Sequence, residues 1–268
     1  MAKPIIEFNN VFKEYRLYKK GRQLFENQLL GLDRGIPEPA LDDISFTVEK
    51  GEKLALIGNT GIERDVVMEM ISGITSPDSG RVRVRGSVAL AIGFGSGFDN
   101  NLSVTDNIMV KGYMLGWSRQ QIAERTDRIL EFAELTDKRS YRLKNLAPGD
   151  AGRIGLAMFC EEDADIYVLN SVLNVGDHIH RAKCIERLKE VTGREDKTLI
   201  LADRNVAVGN NLCTRGIVFD GCKIAFDGTV KEGVKYFRDN IRRTEDDTKQ
   251  GKPVEGVKEI KESDFEEF

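Results

Sequence analysis

The sequence predicts an α/β protein: a core of mostly parallel β-sheet, a flanking antiparallel β layer and a helical subdomain. Three observations support this fold class. Apolar residues alternate with polar ones near the N-terminus, which is typical of half-buried strands. A helical spacing of apolar residues follows, and short apolar runs separated by a helix then return. Strands joined through a helix of that length indicate right-handed crossovers and a buried parallel sheet.

The antiparallel layer is predicted from three segments with a period of two residues. These segments are 5–12, 43–58 and 80–93. Turn residues at 49–51 and 76–80 separate the expected strands.

The helical region is predicted over residues 118–160, where Ser118 and Gln121 have the spacing of a capping box. The parallel strands are predicted from apolar runs at 165–172, 197–203 and 215–228, and residues 180–193 form the helix between the first two. The whole chain divides into one domain over 1–243, with a helical subdomain over about 99–160, and an acidic tail.

The tail, residues 244–268, contains nine acidic residues and four lysines without a helical apolar stripe. Such a composition predicts a solvated segment that is disordered rather than folded. The chain as a whole has a formal net charge of −4 with 40% hydrophobic and 31% charged residues. This balance fits a soluble globular protein and argues against a general nucleic-acid binder, which is usually basic.

The four cysteines are far apart and form no CxxC pair, so they predict reduced and mostly buried thiols. They indicate neither a zinc site nor a disulfide framework. The N-terminal residues lack the apolar core of a signal peptide, and no run approaches the length of about 18 apolar residues that a membrane span needs. We therefore expect an intracellular protein that reaches a membrane only through a partner.

Taken in order, six segments resemble those of an ABC-transporter nucleotide-binding domain, and specifically the subfamily that drives export of O-antigen, capsular and teichoic-acid polysaccharides. They are VFKEYRLY (11–18), ALDDISFTVEKGEKLALIGNTG (40–61), ISGITSPDSGRVRVRGSVALAIGFGSGF (71–98), LAPGDAGRIGLAMF (146–159), ADIYVLNSVLNVGD (164–177) and KTLILADRNVAVGNNLCTRGIVFDGCKIAFDG (197–228). A variable insert, residues 19–39, precedes the second strand, as in the polysaccharide exporters. The resemblance covers about residues 5–238 and implies ATP and Mg²⁺ as ligands.

The phosphate-binding loop departs from the family's pattern. A working loop has the form GxxxxGK[ST], in which backbone N–H groups hold the phosphates, the lysine reaches the β and γ groups, and the hydroxyl binds magnesium. Here Glu63 replaces the last glycine, Arg64 the lysine, and Asp65 the serine or threonine. These three residues carry a net charge of −1, where an intact motif carries about +1.

This change of charge predicts that the loop repels a triphosphate. A carboxylate about 4 Å from a phosphate oxygen costs about 4 kcal/mol at an effective dielectric constant near 20. The dipole of the following helix contributes only about 0.3–1 kcal/mol in the opposite direction. The candidate nucleotide-contacting residues are Tyr15 and the degenerate loop itself, namely Gly58, Asn59, Thr60, Gly61, Ile62, Glu63, Arg64, Asp65 and Val66.

The other catalytic positions implied by the resemblance are also substituted. Asn170 and Ser171 stand where the family has an aspartate for magnesium and a glutamate that polarises water. Arg204 replaces the switch histidine, and Gly93 replaces the glutamine or glutamate of the lid loop. We therefore expect no catalytic residue at these positions and no metal site.

The resemblance also implies a dimer interface. In the family, the signature segment binds the γ-phosphate held by the opposite subunit, but at 146–150 only Gly149 is clearly kept. Pro148 removes a backbone donor there. The turn containing Gly176 and Asp177, which helps to join two subunits in the family, is intact.

Several residues have two interpretations at this point. Tyr15 either stacks on an adenine or ends a strand half-buried, and Arg204 either faces phosphate or pairs with Asp203. His178 and His180 lack a third ligand at usable spacing, which favours surface or helix-start histidines over a metal site. The basic residues 19–25 either contact a membrane partner or form a solvated loop.

Three functions remain open from the sequence. The first is a non-hydrolysing ABC subunit that forms a homo- or heterodimer and docks on a transmembrane permease at the inner face of the cell membrane. The second is an active polysaccharide-export ATPase with divergent motifs. The third is a soluble, non-enzymatic binding module derived from the fold. The substitutions favour the first, because residues that the fold needs are retained whereas those that hydrolysis needs are missing.

Overall fold

The computed structural model of the protein describes residues 3–17, 35–58, 61–93, 96–147, 149–170, 178–202, 209 and 211–241. Its strands are β1 (Ile6–Leu17), β2 (Ile36–Val48), β3 (Lys53–Gly58), β4 (Ser79–Val84), β5 (Val88–Ile92), β6 (Ile166–Asn170), β7 (Thr198–Ala202), β8 (Arg215–Asp220) and β9 (Lys223–Thr229). Its α-helices are α1 (Ile62–Ile71), α2 (Val104–Met114), α3 (Arg119–Phe132), α4 (Asp150–Cys160), α5 (His178–Thr192) and α6 (Val230–Tyr236). Two 3₁₀ turns, Thr136–Lys138 and Leu143–Asn145, and a π-helical turn, Phe237–Ile241, complete the described elements.

The core is a sheet with the strand order β5-β6-β7-β3-β8-β9. All neighbours in it are parallel except β8 and β9, which form an antiparallel hairpin at one edge. Alternate residues of β3 belong to two different hydrophobic clusters. Leu54 and Leu56 pack into one cluster, and Ala55 and Ile57 pack into the other. Burial on both faces explains why this strand is a continuous apolar run in the sequence. The predicted parallel core is thereby confirmed.

The flanking layer is an antiparallel sheet with the order β2-β1-β4. Phe8 of β1 and Phe46 of β2 stack with their ring centroids 4.6 Å apart. Strand β2 begins at Ile36 and its first residues pair with the end of β1, where Leu17 lies opposite Ile36. Residues 36–39 of the predicted insert 19–39 are therefore strand. Residues 19–34 of the insert lie outside the described part of the chain.

The helical subdomain contains α2, α3 and α4, which share a hydrophobic cluster that includes Ile108, Ile129 and Ile154. The predicted capping box begins α3, since the Gln121 N–H donates to Ser118 Oγ (3.2 Å) and the Ser118 N–H donates to Gln121 Oε1 (2.8 Å). Helix α2 lies N-terminal to the segment where helical spacing was recognised. Its own N-cap is Ser103, whose Oγ accepts from the Asp106 N–H at 3.1 Å.

All four cysteines are free, as predicted, and three of them, Cys160, Cys184 and Cys213, are buried. Burial raises the pKa of the Cys160 and Cys213 thiols to about 12, so both are protonated and unreactive at neutral pH. Across the described ranges, no helix combines the length and apolar character needed to cross a bilayer. The predicted tail, residues 244–268, lies outside the described residues, and the domain boundary at 243 stays a prediction.

Candidate functional site

The candidate site is centred on the turn between β3 and α1. Gly58 ends the central strand, and Gly61 precedes α1 with φ of 79°. A Cβ on Gly61 would lie 3.0 Å from Nη2 of Arg64, so both the backbone angle and the space require glycine there. Ile62 is exposed and Val66 is buried in the core. The predicted strand and helix are confirmed. Asn59 and Thr60 of the turn between them lie outside the described residues.

The Arg64 side chain lies against this turn instead of extending away from it. It is 8% exposed, and its Cδ lies 3.8 Å from the position that a Cβ on Gly58 would occupy. Nη2 of its guanidinium occupies the space beside Gly61 that a Cβ would need. The cation that stands in the lysine position is therefore packed between the two glycines of the loop.

The two carboxylates of the loop lie in the first turn of α1. Glu63 is 6% exposed, whereas Asp65 faces solvent. Acidic groups in the first helical turn interact favourably with the positive end of the helix dipole, by about 0.3–1 kcal/mol each. The end of the helix that would otherwise favour a phosphate is thus neutralised by side chains of its own chain.

Asn170 joins this group from the end of β6, two strands away from β3 in the sheet. Its Nδ2–H donates a hydrogen bond to Asp65 Oδ1 at 2.8 Å. These two residues occupy the positions that, in the resembled family, supply the hydroxyl and the carboxylate on either side of magnesium. Here the two side chains bind one another directly.

Gly93 follows β5 in an exposed turn with φ of 67°. The turn is closed by the Ser96 N–H, which donates to the Gly93 carbonyl at 3.1 Å, and by Ser96 Oγ, which donates to the Ile92 carbonyl at 3.2 Å. The lid-loop position therefore lies at the carboxyl end of the edge strand of the core sheet. It offers no side chain to a nucleotide or a metal.

Helix α4 begins directly after Gly149, at Asp150. Asp150 is 3% exposed, its Oδ2 accepts from the Ala147 N–H at 3.1 Å, and its Oδ1 lies 3.7 Å from Nη1 of Arg153. The sequence interpretation of the signature segment did not single out Asp150. The signal for this residue in the sequence is its position in the first turn of the predicted helix, where the helix dipole stabilises a carboxylate.

Tyr15 lies on β1 with 38% of its surface exposed. The Nζ of Lys13 is 5.6 Å from the centre of its ring, and Lys13 also pairs with Asp78 at 2.8 Å. The partly exposed ring can stack on a base, and it is equally a half-buried residue of a strand. Both interpretations of Tyr15 therefore stay predictions.

Other predicted site residues lie outside the described residues. These are Asn59, Thr60, Pro148, Ser171, Gly176, Asp177 and Arg204, and the basic segment 19–25 lies there as well. Helix α5 begins at His178, but the side chains of His178 and His180 are not described. Among the residues that the structure describes, no group of His, Cys, Asp and Glu is arranged to hold a metal ion.

Comparison with known proteins gives the same family as the motifs. A family model described as "ABC transporter" matches residues 41–173. The chain is 29% identical over 241 residues to the O-antigen export system ATP-binding protein RfbB of Klebsiella pneumoniae, covering 88% of this chain and 98% of that protein. It is also 29% identical over 233 residues to the teichoic acids export ATP-binding protein TagH of Bacillus cereus, covering 87% of this chain but only 42% of that longer protein.

Solved structures confirm the predicted fold class. The dimeric structure of the ATP-binding cassette MJ0796 in a post-hydrolysis state, bound to ADP and Pi, superposes with a TM-score of 0.66 over 84% of this chain and 98% of that chain. The sequence identity is 15%. A likeness at this level of identity shows a shared fold and carries no residue roles.

Proposed function

We propose that this protein, whose residues 41–173 belong to the ABC transporter family, is the cassette subunit of a polysaccharide exporter. We further propose that it has lost ATP hydrolysis. The polysaccharide assignment is supported by similarity to O-antigen and teichoic-acid export proteins over most of this chain. The loss of hydrolysis is supported by the chemistry of the site.

The single observation that carries this proposal is the 2.8 Å hydrogen bond between Asn170 and Asp65. A magnesium ion at this point needs oxygen ligands at about 2.0–2.1 Å in octahedral geometry. Direct contact between the two side chains leaves no room for the ion between them. The amide of Asn170 also lacks the negative charge of the family's aspartate.

The charges around the turn also oppose the binding of a triphosphate. Glu63 and Asp65 already neutralise the start of α1, and Arg64 is packed against Gly58 and Gly61. A triphosphate entering this turn would have to displace the arginine and approach two carboxylates. Since that repulsion exceeds the attraction of the helix dipole, the turn excludes the triphosphate.

The subunit needs a membrane partner in this proposal. An apolar face of α2 is open to solvent in the described structure, formed by Met109, Val110, Tyr113 and Met114, the last of them 75% exposed. Exposed apolar surfaces of this kind are typical of protein–protein contacts. This face suits a transmembrane permease, which would hold the subunit at the inner side of the membrane, in a homo- or heterodimer with a second cassette.

The direct test is a measurement of ATP binding and turnover on the purified chain. We expect no phosphate release above background and, by calorimetry, no binding heat for ATP with Mg²⁺ at about 0.1 mM, because the turn repels the triphosphate. The Klebsiella protein RfbB, measured in parallel, is the matched control. Magnesium-dependent turnover by this chain would identify it as an active ATPase with divergent motifs, and tight binding of ATP with Mg²⁺ would contradict the electrostatic exclusion.

A further inference from the structure

A cavity lies where the core sheet meets the helical subdomain, and Gly93, the lid-loop position, is among the residues that line it. Its volume is about 270 Å³, and its wall is formed by the end of β5, by Ser96 and Gly97, by α2 and α4, and by Glu162, two residues after the end of α4. Two ionisable side chains, Lys111 and Glu162, line it together with apolar groups such as Leu115 and Phe159. Neither ionisable residue has a role in the nucleotide site described above.

Lys111 connects α2 to the turn after β5. Its Nζ donates to the Ser96 carbonyl at 3.0 Å and lies 4.5 Å from the ring centre of Phe98. Burial lowers the pKa of the Lys111 ammonium, and the nearby Glu162 partly opposes this shift. One hydrogen bond therefore holds the loop to the helix, and an ammonium group has further N–H donors to offer.

Glu162 lines the same cavity from beyond the end of α4. Its backbone carbonyl accepts from the Tyr167 hydroxyl at 2.6 Å, which fixes the segment after α4. Burial raises the pKa of its carboxyl to about 7, although Lys111 and Arg125 both favour the ionised form. The charge of this carboxyl in turn contributes to a raised pKa of Tyr167, for which burial is the largest cause. At neutral pH the carboxyl is thus divided between its two states.

Arg125 of α3 is the second cation that faces Glu162. Its guanidinium carbon lies 4.5 Å from the ring centre of Trp117, and its Nε is 4.0 Å from Glu161. Its Nη1 is buried without a hydrogen-bond acceptor among the described residues. A carboxylate at Glu162 would supply an acceptor to this donor, whereas a neutral carboxyl attracts it much less.

We propose that this cavity is a proton-controlled joint between the core sheet and the helical subdomain. With Glu162 neutral, Lys111 stays bonded to the Ser96 carbonyl and Arg125 stays on Trp117. With Glu162 ionised, both cations are drawn toward its carboxylate, and the Ser96 carbonyl loses its hydrogen bond from Lys111 of α2. The ligand of this site is a proton. Its binding would move the apolar face of α2 that, in the proposed function, contacts the permease.

The sign of the stability effect follows from the direction of the shift. The carboxyl of Glu162 titrates near 7 in the folded chain and near its ordinary value of 4.5 when unfolded. The favourable contribution of its neutral form is complete below about pH 4.5 and is lost as the pH rises through about 7. Stability should therefore decline over this interval, and Glu162→Gln should remove that part of the decline.

Trp117 is the only tryptophan in the chain, so its emission reports on the ring that Arg125 covers. We expect a pH titration of its fluorescence to show one transition with a midpoint of about 7. Glu162→Gln should abolish the transition. Lys111→Met should move the midpoint to higher pH, because a charge that favours the ionised carboxyl is gone. Circular dichroism checks that both variants remain folded.

Two further measurements separate this joint from other titrating groups. The chain has two histidines, and a His178→Gln, His180→Gln double variant should keep the transition. Hydrogen exchange at the Ser96 amide, corrected for its intrinsic pH dependence, should become several-fold faster above the midpoint in the natural chain only. A transition that persists in Glu162→Gln, disappears in the histidine variant, or has an unchanged or lowered midpoint in Lys111→Met would overturn the proposal.

Discussion

A variant with family residues restored at the nucleotide site should hydrolyse ATP in the presence of magnesium, whereas the natural chain should not. The substitutions are Glu63→Gly, Arg64→Lys, Asp65→Ser, Asn170→Asp, Ser171→Glu and Arg204→His. Together they remove two carboxylates from the start of α1, return a lysine to the loop and provide oxygen ligands for magnesium. They also supply a general base, which alone contributes about 10²–10⁴-fold to a rate.

We therefore expect phosphate release by the restored variant to exceed that of the natural chain by at least about 100-fold. The matched control is the same variant with Ser171 kept, which should bind ATP with magnesium but turn it over slowly. Removal of magnesium with a chelator should abolish the gain. If the restored variant folds, binds ATP and still has no activity, then the loss of hydrolysis has a cause outside these positions.

Replacement of Arg215 should produce the largest loss of stability that we predict. Its guanidinium joins both sheets, since Nη1 donates to the Thr47 carbonyl of β2 at 2.8 Å and to Glu52 at 2.9 Å. Nε and Nη2 each donate to Asp227 of β9 at 2.6 Å. The hydrogen bonds to Asp227, followed by those to Glu52, raise the pKa of the guanidinium, although burial opposes this shift.

Arg215→Met keeps most of the side-chain volume but leaves Glu52 and Asp227 without their shared cation. Breaking a buried pair costs about 3–5 kcal/mol, and the partial exposure of this site reduces the expected loss to about 2–4 kcal/mol. Urea denaturation followed by circular dichroism measures it. The control is Arg194→Met, which removes an exposed ion pair with Asp196 and should cost less than about 1 kcal/mol. Equal losses in the two variants would contradict the proposed role of Arg215.

The existence of most strands was predictable from local patterns, but their division between the two sheets was not: segments 43–58 and 80–93, predicted for the antiparallel layer, each end in a strand of the core sheet, β3 and β5. Burial on both faces makes β3 a continuous apolar run, and a single burial face gives β1 its alternation. Helix α2 was not recognised by spacing because Met109, Val110, Tyr113 and Met114 face solvent, so its apolar residues are not confined to one side. The signal that could have located it was the cap formed by Ser103 and Asp106.

The sequence identified the substituted positions of the site but not the contacts among them. Asp65 and Asn170 are 105 positions apart, and only the parallel arrangement of β3 and β6 brings them together. The packing of Arg64 between Gly58 and Gly61 was equally inaccessible, since a side-chain rotamer has no local sequence signature. Lys111 and Glu162 were overlooked for the same reason, because their burial depends on how α2 and α4 meet the sheet.

The bond between Asp65 and Asn170 also bears on the history of the protein. Asn170→Asp alone would set two carboxylates against each other, and Asp65→Ser alone would replace the charged acceptor of the amide by a shorter, neutral hydroxyl. Under the proposed loss of hydrolysis, each single step back toward the family's residues is therefore opposed until the other has occurred. A lineage that lost hydrolysis in the proposed way would have passed through an evolutionary ratchet, in which selection on one substitution at a time opposes a return.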